Sequence, residues 1–195
     1  FSGDYLQTFN YLKEAFCGSI EFCPGNRFGC ASALAAEWVS NGAGDEVVSS
    51  FGGVGGFAPT EELFMIFRLA RLRKVGKTYE FFPKMADLLR RITGESFDKS
   101  VIGERIFHVE SGVHVDGILK LPKCYEPFPP EIVGRERKIV LGKHSGSASI
   151  RAKAKELGLD CAEEGIPKLL QMVKEFGAKK RGALTDEEFL TLARR

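Results

Sequence analysis

The fold is decided by residues 46–62, which read EVVSSFGGVGGFAPTEE. This stretch begins with β-branched residues typical of a short strand, and a run of four glycines around Val54 follows. It ends in Thr60-Glu61-Glu62, which supplies a helix cap and first-turn acids to a segment with apolar residues at helical spacing up to Leu72. The pattern therefore predicts a strand, a turn and a helix, with the helix closed by Gly76.

The preceding residues repeat this order. Helical spacing over 5–16 leads into the apolar run at 20–23, and the Ala- and Leu-rich segment 28–41 ends at Asn41-Gly42. Strands that alternate with helices of this length indicate an α/β fold with a parallel sheet. An eight-fold barrel takes about 250 residues, so residues 1–78 are predicted to hold roughly its last quarter. Such a piece leaves strand edges for another chain, or another copy, to cover.

The remaining residues have a different character and are predicted to be mostly helical. We expect a linker subdomain at 79–135, with a helix from Phe82 to Thr93-Gly94 and mostly loops with short helical turns over 103–135, which is dense in Gly and Pro. A C-terminal helical subdomain is expected at 136–195. Its predicted elements are a strand at 137–141, helices near 147–157 and 163–176 stopped by Gly158 and Gly177, and a last helix opened by the capping box Thr185-x-x-Glu188.

Composition excludes several classes of function. The chain has 195 residues, 44% of them hydrophobic, and a formal net charge of +2, which is typical of a globular protein and gives no basic excess for nucleic acid. No apolar run approaches the roughly 18 residues of a membrane span, and the first residues lack the pattern of a signal peptide. Five irregularly spaced cysteines favour reduced thiols. We therefore expect a cytoplasmic protein without nucleic-acid or membrane partners.

Three histidines, His108, His114 and His144, fall in two Gly-rich segments. His114 and Glu110 are four residues apart, which fits a metal pair, a general acid–base pair or a hydrogen-bonded structural histidine. The spacing alone leaves these three alternatives open.

Four motifs in this region resemble a known family. They are SGVHVDGILK at 111–120, YEPF at 125–128, VGR at 133–135 and LGKHSG at 141–146. In this order they closely resemble the 2-isopropylmalate, citramalate and homocitrate synthases, and homocitrate synthases most of all. The tail LTDEE at 184–188 is also similar to that family.

The resemblance implies a TIM barrel followed by a linker subdomain that dimerises and reaches over the partner's barrel mouth. It also implies a Claisen-type condensation of acetyl-CoA with a 2-oxo acid, 2-oxoglutarate in homocitrate synthases. The catalytic residues implied are His114 and Tyr125, whose spacing of eleven matches the family. An imidazole and a phenol are suited to moving protons at the thioester end of the reaction.

The chain departs from the family where a metal would bind. The family's barrel holds a divalent metal through a His-x-His on the seventh strand and an Asn after the eighth, and these positions are Cys23, Gly25 and Phe57 here. The family's first-strand acid motif has no counterpart in these residues, and its loop histidine falls at Val109, one place after His108. Cys23 is expected to be a buried thiol, because free cysteines mostly pack as small hydrophobes. We therefore expect no metal on this chain, with Mg²⁺ or Mn²⁺ on a partner barrel.

Three hypotheses follow from the match and the departures. The first is a homocitrate-synthase-like acyltransferase subunit, inactive alone, that supplies His114 and Tyr125 to a barrel-bearing synthase chain or within a homo-oligomer. The second is a non-catalytic dimerisation or regulatory module derived from the same family. The third is the C-terminal portion of one long synthase, which would leave Cys23, Gly25 and Phe57 unexplained.

Overall fold

The computed structural model describes residues 2–42, 44, 46–71 and 78–194, with side chains from residue 7 onwards. The chain divides into two compact units, one reaching to Ile106 and the other starting at Phe107. Both combine helices with short strands, so the fold is α/β, as predicted. None of the helices in the described ranges is long and apolar enough to cross a membrane. The domain bounds predicted at 78/79 and 135/136 stay predictions.

The first unit alternates helices with two-residue strands. Its described helices are α1 (Ser2–Ala15), α2 (Ala31–Ser40), α3 (Thr60–Leu69) and α4 (Phe82–Thr93), and its strands are β1 (Glu21–Phe22), β2 (Glu46–Val47), β3 (Ser49–Ser50) and β4 (Ala58–Pro59). Strands β1 and β2 pair in parallel, as do β3 and β4. The predicted repeat of strand and helix is confirmed. The described residues form two separate two-stranded sheets here, so the barrel segment stays a prediction.

The helix after residues 46–62 is shorter than its apolar pattern indicates. Helix α3 ends at Leu69, and Arg71 adopts a left-handed conformation with φ of 54°. The predicted stop at Gly76 lies outside the described residues.

Aromatic packing holds the strands of the first unit against its helices. The Trp38 ring is almost fully buried, with the Phe9 ring edge-on at 4.1 Å and the Phe22 ring stacked at 4.9 Å between centroids. Phe22 lies opposite Val47 in the β1–β2 register, so α1, α2 and this sheet share one apolar cluster. Burying aromatic rings of this size dominates the stability of a small unit.

The glycine run forms tight turns over Phe51–Gly56, with a kink between them. Gly52, Gly53, Gly55 and Gly56 all have positive φ, a conformation that residues with a Cβ rarely adopt. The amide of Gly52 donates to Glu61 Oε2 at 2.9 Å, and the Glu61 side chain is buried, with 1% exposed. Desolvation raises the pKa of Glu61 above its ordinary value, because burial disfavours the charged form.

The second unit contains the predicted C-terminal helices. Its described elements are the strands β5 (His108–Val109) and β6 (Lys138–Ile139) and the helices α5 (Gly112–Lys120), α6 (Ser147–Glu156), α7 (Ile166–Lys180) and α8 (Asp186–Ala193). Strands β5 and β6 pair in parallel. The capping box is present: Thr185 Oγ1 accepts from the Glu188 amide at 3.2 Å, and Glu188 Oε2 accepts from the Thr185 amide at 2.7 Å. The predicted strand and last three helices are confirmed.

The predicted helix stop at Gly177 is wrong, because α7 continues through it to Lys180. A Cβ at Gly177 would lie 2.9 Å from both Gly142 Cα and the Lys143 amide nitrogen. Glycine is therefore required here for close backbone packing and not for ending the helix. Arg181, with φ of 57°, ends it instead.

The prediction that 103–135 is mostly loop is wrong over Gly112–Lys120, which forms the nine-residue helix α5. Val115 and Ile118 are buried on one side of α5 and anchor it. Gly112 and Gly117, which favoured a loop in the sequence, lie inside the helix because each is approached closely by another segment. The predicted short turns are present at Pro122–Cys124 and Pro130–Val133.

Candidate active site

Helix α5 presents His114 on its exposed side. The helix ends at Lys120, and the amide of the capping residue Leu121 donates to the Gly117 carbonyl at 2.8 Å. Leu121 leads directly into the 3₁₀ turn Pro122–Cys124, which reverses the chain and brings Tyr125 back along the helix. The amide of Tyr125 donates to the Pro122 carbonyl at 2.9 Å, which fixes the turn.

This turn places the two sequence-predicted catalytic residues side by side. The ring centroids of His114 and Tyr125 are 5.4 Å apart and their planes are inclined by 56°. Both residues are exposed, Tyr125 to 43%. Val113 and Leu119 on α5 are exposed too. The pair is thus accessible to solvent.

An ion pair anchors the residue after Tyr125. Arg137 Nε and Nη2 donate to the two carboxylate oxygens of Glu126, each at 2.6 Å. Only 7% of the Glu126 side chain is exposed, so this bidentate pair is largely shielded from water. The hydrogen bonds with Glu126 raise the pKa of the Arg137 guanidinium. Because Arg137 directly precedes β6, the pair ties the Tyr125 turn to the β5–β6 sheet.

Glu110, which lies four residues before His114, makes its hydrogen bonds to His144 and Ser149. Its Oε1 accepts from the His144 backbone amide at 2.7 Å, and its carbonyl accepts from Ser149 Oγ at 3.1 Å. Glu110 precedes α5, so the two residues do not share a helix face as a spacing of four would require. Glu110 therefore joins the segment before α5 to the LGKHSG segment, and the His114–Glu110 metal or acid–base pair is not supported.

The SGVHVDGILK and LGKHSG motifs meet through their glycines. A Cβ on Gly112 would lie 2.5 Å from Gly146 Cα and 2.9 Å from its amide nitrogen. Ser145 Oγ accepts from the Gly142 amide at 2.9 Å and closes the LGKHSG turn. The His144 side chain is exposed, and its backbone carries the contact with Glu110. The LGKHSG motif thus supports the helix on which His114 lies.

The residues at the family's metal positions do not fit a divalent metal. Phe57 and Gly25 offer no side-chain ligand atom, and a Cβ built on Gly25 would meet no atom within 4 Å. Within the ranges that the structure describes, no group of three or more His, Cys, Asp or Glu comes together as a metal site. A hard cation such as Mg²⁺ or Mn²⁺ prefers several oxygen ligands. Cys23, Gly25 and Phe57 therefore do not provide the side-chain oxygen ligands of a Mg²⁺ or Mn²⁺ site.

The expectation that Cys23 is a buried thiol is wrong, because Cys23 is exposed. Side chains alternate along an extended segment, and Phe22 is the residue that packs against Trp38. Cys23 therefore lies on the outer side, as Glu21 does.

Sequence reasoning missed Gly117 and the Glu126–Arg137 pair. Gly117 carries a weak signal, since a glycine inside a helix costs about 1 kcal/mol relative to alanine and indicates a packing reason. Glu126 and Arg137 are eleven residues apart, and no local pattern pairs them.

Comparison with known proteins identifies relatives of this chain. The family model described as homocitrate synthase post-HMGL domain-like matches residues 101–181. The homocitrate synthase omega subunit of Clostridium pasteurianum is 33% identical over 93% of the chain and 51% of its own length. Homocitrate synthase 1 of a Nostoc species is 33% identical over 94% of the chain and 50% of its own length. A putative (R)-citramalate synthase of Methanopyrus kandleri is 36% identical over 85% of the chain and 33% of its own length.

The chain thus spans about half, or less, of the length of the curated relatives it matches. The matched family segment includes α5, Tyr125 and most of the helices of the second unit. The fold and the motifs that meet at His114 and Tyr125 agree with the relationship. Residues 101–181 belong to the homocitrate synthase post-HMGL domain-like family, and the chain is a homologue of the homocitrate, citramalate and 2-isopropylmalate synthases.

Proposed function

We propose that this chain is one subunit of a split homocitrate-synthase-type acyltransferase. It supplies His114 and Tyr125 to the condensation of acetyl-CoA with a 2-oxo acid, 2-oxoglutarate in the first instance. The metal-binding barrel, with Mg²⁺ or Mn²⁺, is supplied by another chain. The proposed site of action is the cytoplasm.

The observation that carries this proposal is the exposed His114–Tyr125 pair. An imidazole and a phenol with ring centroids 5.4 Å apart are close enough to act on one substrate. Closing an active site expels water and strengthens the electrostatic interactions inside it. A second protein surface that covers the exposed pair would provide this closure.

The reaction assigns the two residues a task at the thioester. A base removes a proton from the methyl group of acetyl-CoA, and the resulting enolate forms a C–C bond to the ketone carbon of the oxo acid. The C=O π bond of the ketone opens to an alkoxide, which takes up a proton. Water then cleaves the C–S bond, which releases CoA thiol and a carboxylate. Positioned N–H and O–H donors stabilise the developing charge on the thioester oxygen, and such donors are also suited to passing a proton during hydrolysis. His114 and Tyr125 are proposed to do this.

Two observations support placing the barrel on another chain. Cys23, Gly25 and Phe57 cannot bind a divalent metal as the family's ligands do, although the catalytic pair is retained. The relative from Clostridium pasteurianum is named the omega subunit of a homocitrate synthase. A division of the enzyme into subunits is therefore proposed here as well.

The test is product formation from acetyl-CoA and 2-oxoglutarate with Mg²⁺ or Mn²⁺. The purified chain is assayed alone, and mixed with the barrel-bearing homocitrate synthase chain from the same source. Because four of the five cysteines are exposed, thiol reagents report on the protein as well as on CoA. Product is therefore measured by mass spectrometry, and omission of the oxo acid serves as the blank.

We expect product only in the mixture. Product from the chain alone would contradict the split arrangement. A stable complex without product from 2-oxoglutarate, pyruvate or 2-oxoisovalerate would favour the dimerisation or regulatory module instead.

A further inference from the structure

We infer that Gly117 and the Glu126–Arg137 ion pair are positioning residues, which hold the Tyr125 ring against His114. The inference rests on the proposed function of Tyr125 and deepens it. It concerns how the second unit by itself maintains the geometry of the pair.

Gly117 provides the surface on which the Tyr125 ring lies. A Cβ built on Gly117 would overlap Cε2, Cζ and Oη of Tyr125. The ring therefore packs directly on the α5 backbone, one turn after His114, and the missing side chain creates the room. Glycine inside a helix costs about 1 kcal/mol relative to alanine, so a local preference for helix does not account for this residue.

The Glu126–Arg137 pair prevents the turn from lifting away from α5. The backbone amide of Tyr125 donates a hydrogen bond to the Pro122 carbonyl, and the next residue in the chain is Glu126. Two charge-assisted bonds of 2.6 Å fix both the position and the orientation of the Glu126 carboxylate. With the backbone held at both ends and the ring resting on Gly117, the phenol hydroxyl stays at a defined place beside the imidazole. An error of about 1 Å in such a group can cost up to roughly 100-fold in rate.

Gly117→Ala tests this inference without depending on a loss of folding. Alanine favours the helix, and the added methyl group meets only the movable end of a side chain. The variant should therefore keep its circular dichroism spectrum and melting temperature while the Tyr125 ring is displaced. Gly165→Ala is the matched control, because a Cβ there meets nothing within 4 Å.

Two readouts are needed. The first is the nuclear Overhauser contact between the His114 and Tyr125 rings in the full 195-residue chain, which has three histidines and four tyrosines to assign. The second is the rate of the mixture with the barrel-bearing chain. For Gly117→Ala we expect loss of the contact and a fall in kcat of about tenfold with little change in KM for acetyl-CoA, whereas Gly165→Ala matches the wild type. Arg137→Lys keeps the charge but not the bidentate geometry, so an intermediate loss is expected.

The inference is overturned if Gly117→Ala and Arg137→Lys both retain the ring contact and the wild-type kcat. Tyr125→Phe, measured in the same mixture, separates this outcome from failure of the proposed function. If Tyr125→Phe lowers kcat while Gly117→Ala and Arg137→Lys both leave it unchanged, the positioning inference is wrong and the function stands. If Tyr125→Phe does not lower kcat, the proposed role of Tyr125 is wrong, and the positioning inference falls with it.

Discussion

The two units of the chain differ in the residues found at their candidate functional positions. In the first unit the strands and the Trp38 cluster are packed as in an α/β protein, yet the positions where the resemblance to the synthases implies metal ligands carry an exposed thiol, a glycine and a phenylalanine. In the second unit the His114–Tyr125 pair is adjacent, and several glycines are placed where no Cβ would fit. The proposed function accounts for this difference: a subunit whose partner binds the metal would need His114 and Tyr125 but no metal ligands of its own.

The largest effect is expected at the centre of the second unit. His114→Ala should lower kcat of the mixture by about 10²- to 10⁴-fold, the usual range for losing a positioned proton-transfer group. The measurement is steady-state product formation at saturating substrates. His144→Ala is the matched control, because the contact of His144 with Glu110 runs through the backbone amide. Equal rates for His114→Ala and the wild type would contradict the proposed difference between the units, because His114 would then have no role in the reaction.

Stability offers the next test of the glycine contacts. Gly112→Ala places a methyl group against the backbone of Gly146, which cannot rotate away as a side chain can. We expect a fall of about 1–3 kcal/mol in the free energy of unfolding, typical of overpacking. Urea denaturation of the full chain measures it, with Gly165→Ala as the control. A destabilisation no larger than that of Gly165→Ala would mean that the two motifs are not in contact.

Sequence reasoning reached the α/β class, but it misjudged residues whose role depends on tertiary contacts. Apolar spacing and caps predicted most of the helices and three of the strands, and the structure has them. Gly177 was expected to end a helix, but its role is to admit the Gly142–Lys143 backbone. Cys23 was expected inside because cysteine is apolar, but its position next to Phe22 on an extended segment turns it outwards.

At the candidate site, too, the sequence did not indicate which residues are in contact. The resemblance to the synthases singled out His114 and Tyr125, and their spacing of eleven says nothing about proximity. Adjacency of the two rings requires that α5 end at Lys120 and that a turn follow at Pro122–Cys124. Gly112, Gly117 and Pro122 all favoured a loop there, because a pattern of glycines and prolines does not distinguish a loop from a helix packed closely at its glycines.

The first unit can be probed through the pH dependence of its stability. Burial raises the pKa of Glu61 in the folded state above its ordinary value of 4.5. The stability linked to its protonation is thus fully present below the unfolded pKa and is lost as the pH rises through the folded pKa. The free energy of unfolding of the wild type relative to Glu61→Gln should therefore decrease from about pH 4.5 upwards and level off above the folded pKa. Urea denaturation across that range tests this, and a difference that is independent of pH would contradict it.

The smallest effect on activity should come from replacing Cys23, which lies at a position where the resemblance to the synthases implies a metal ligand. Cys23 is exposed, and among the described residues it belongs to no group of three or more His, Cys, Asp or Glu that could bind a metal. Cys23→Ala should therefore change kcat of the mixture by less than about twofold. The stoichiometry of Mg²⁺ or Mn²⁺ bound to the complex should also stay the same, as measured by equilibrium dialysis. A clear loss of bound metal with Cys23→Ala would show that the first unit still contributes to the metal site. The contrast between the two units would then have to be abandoned, because both would hold part of one catalytic centre.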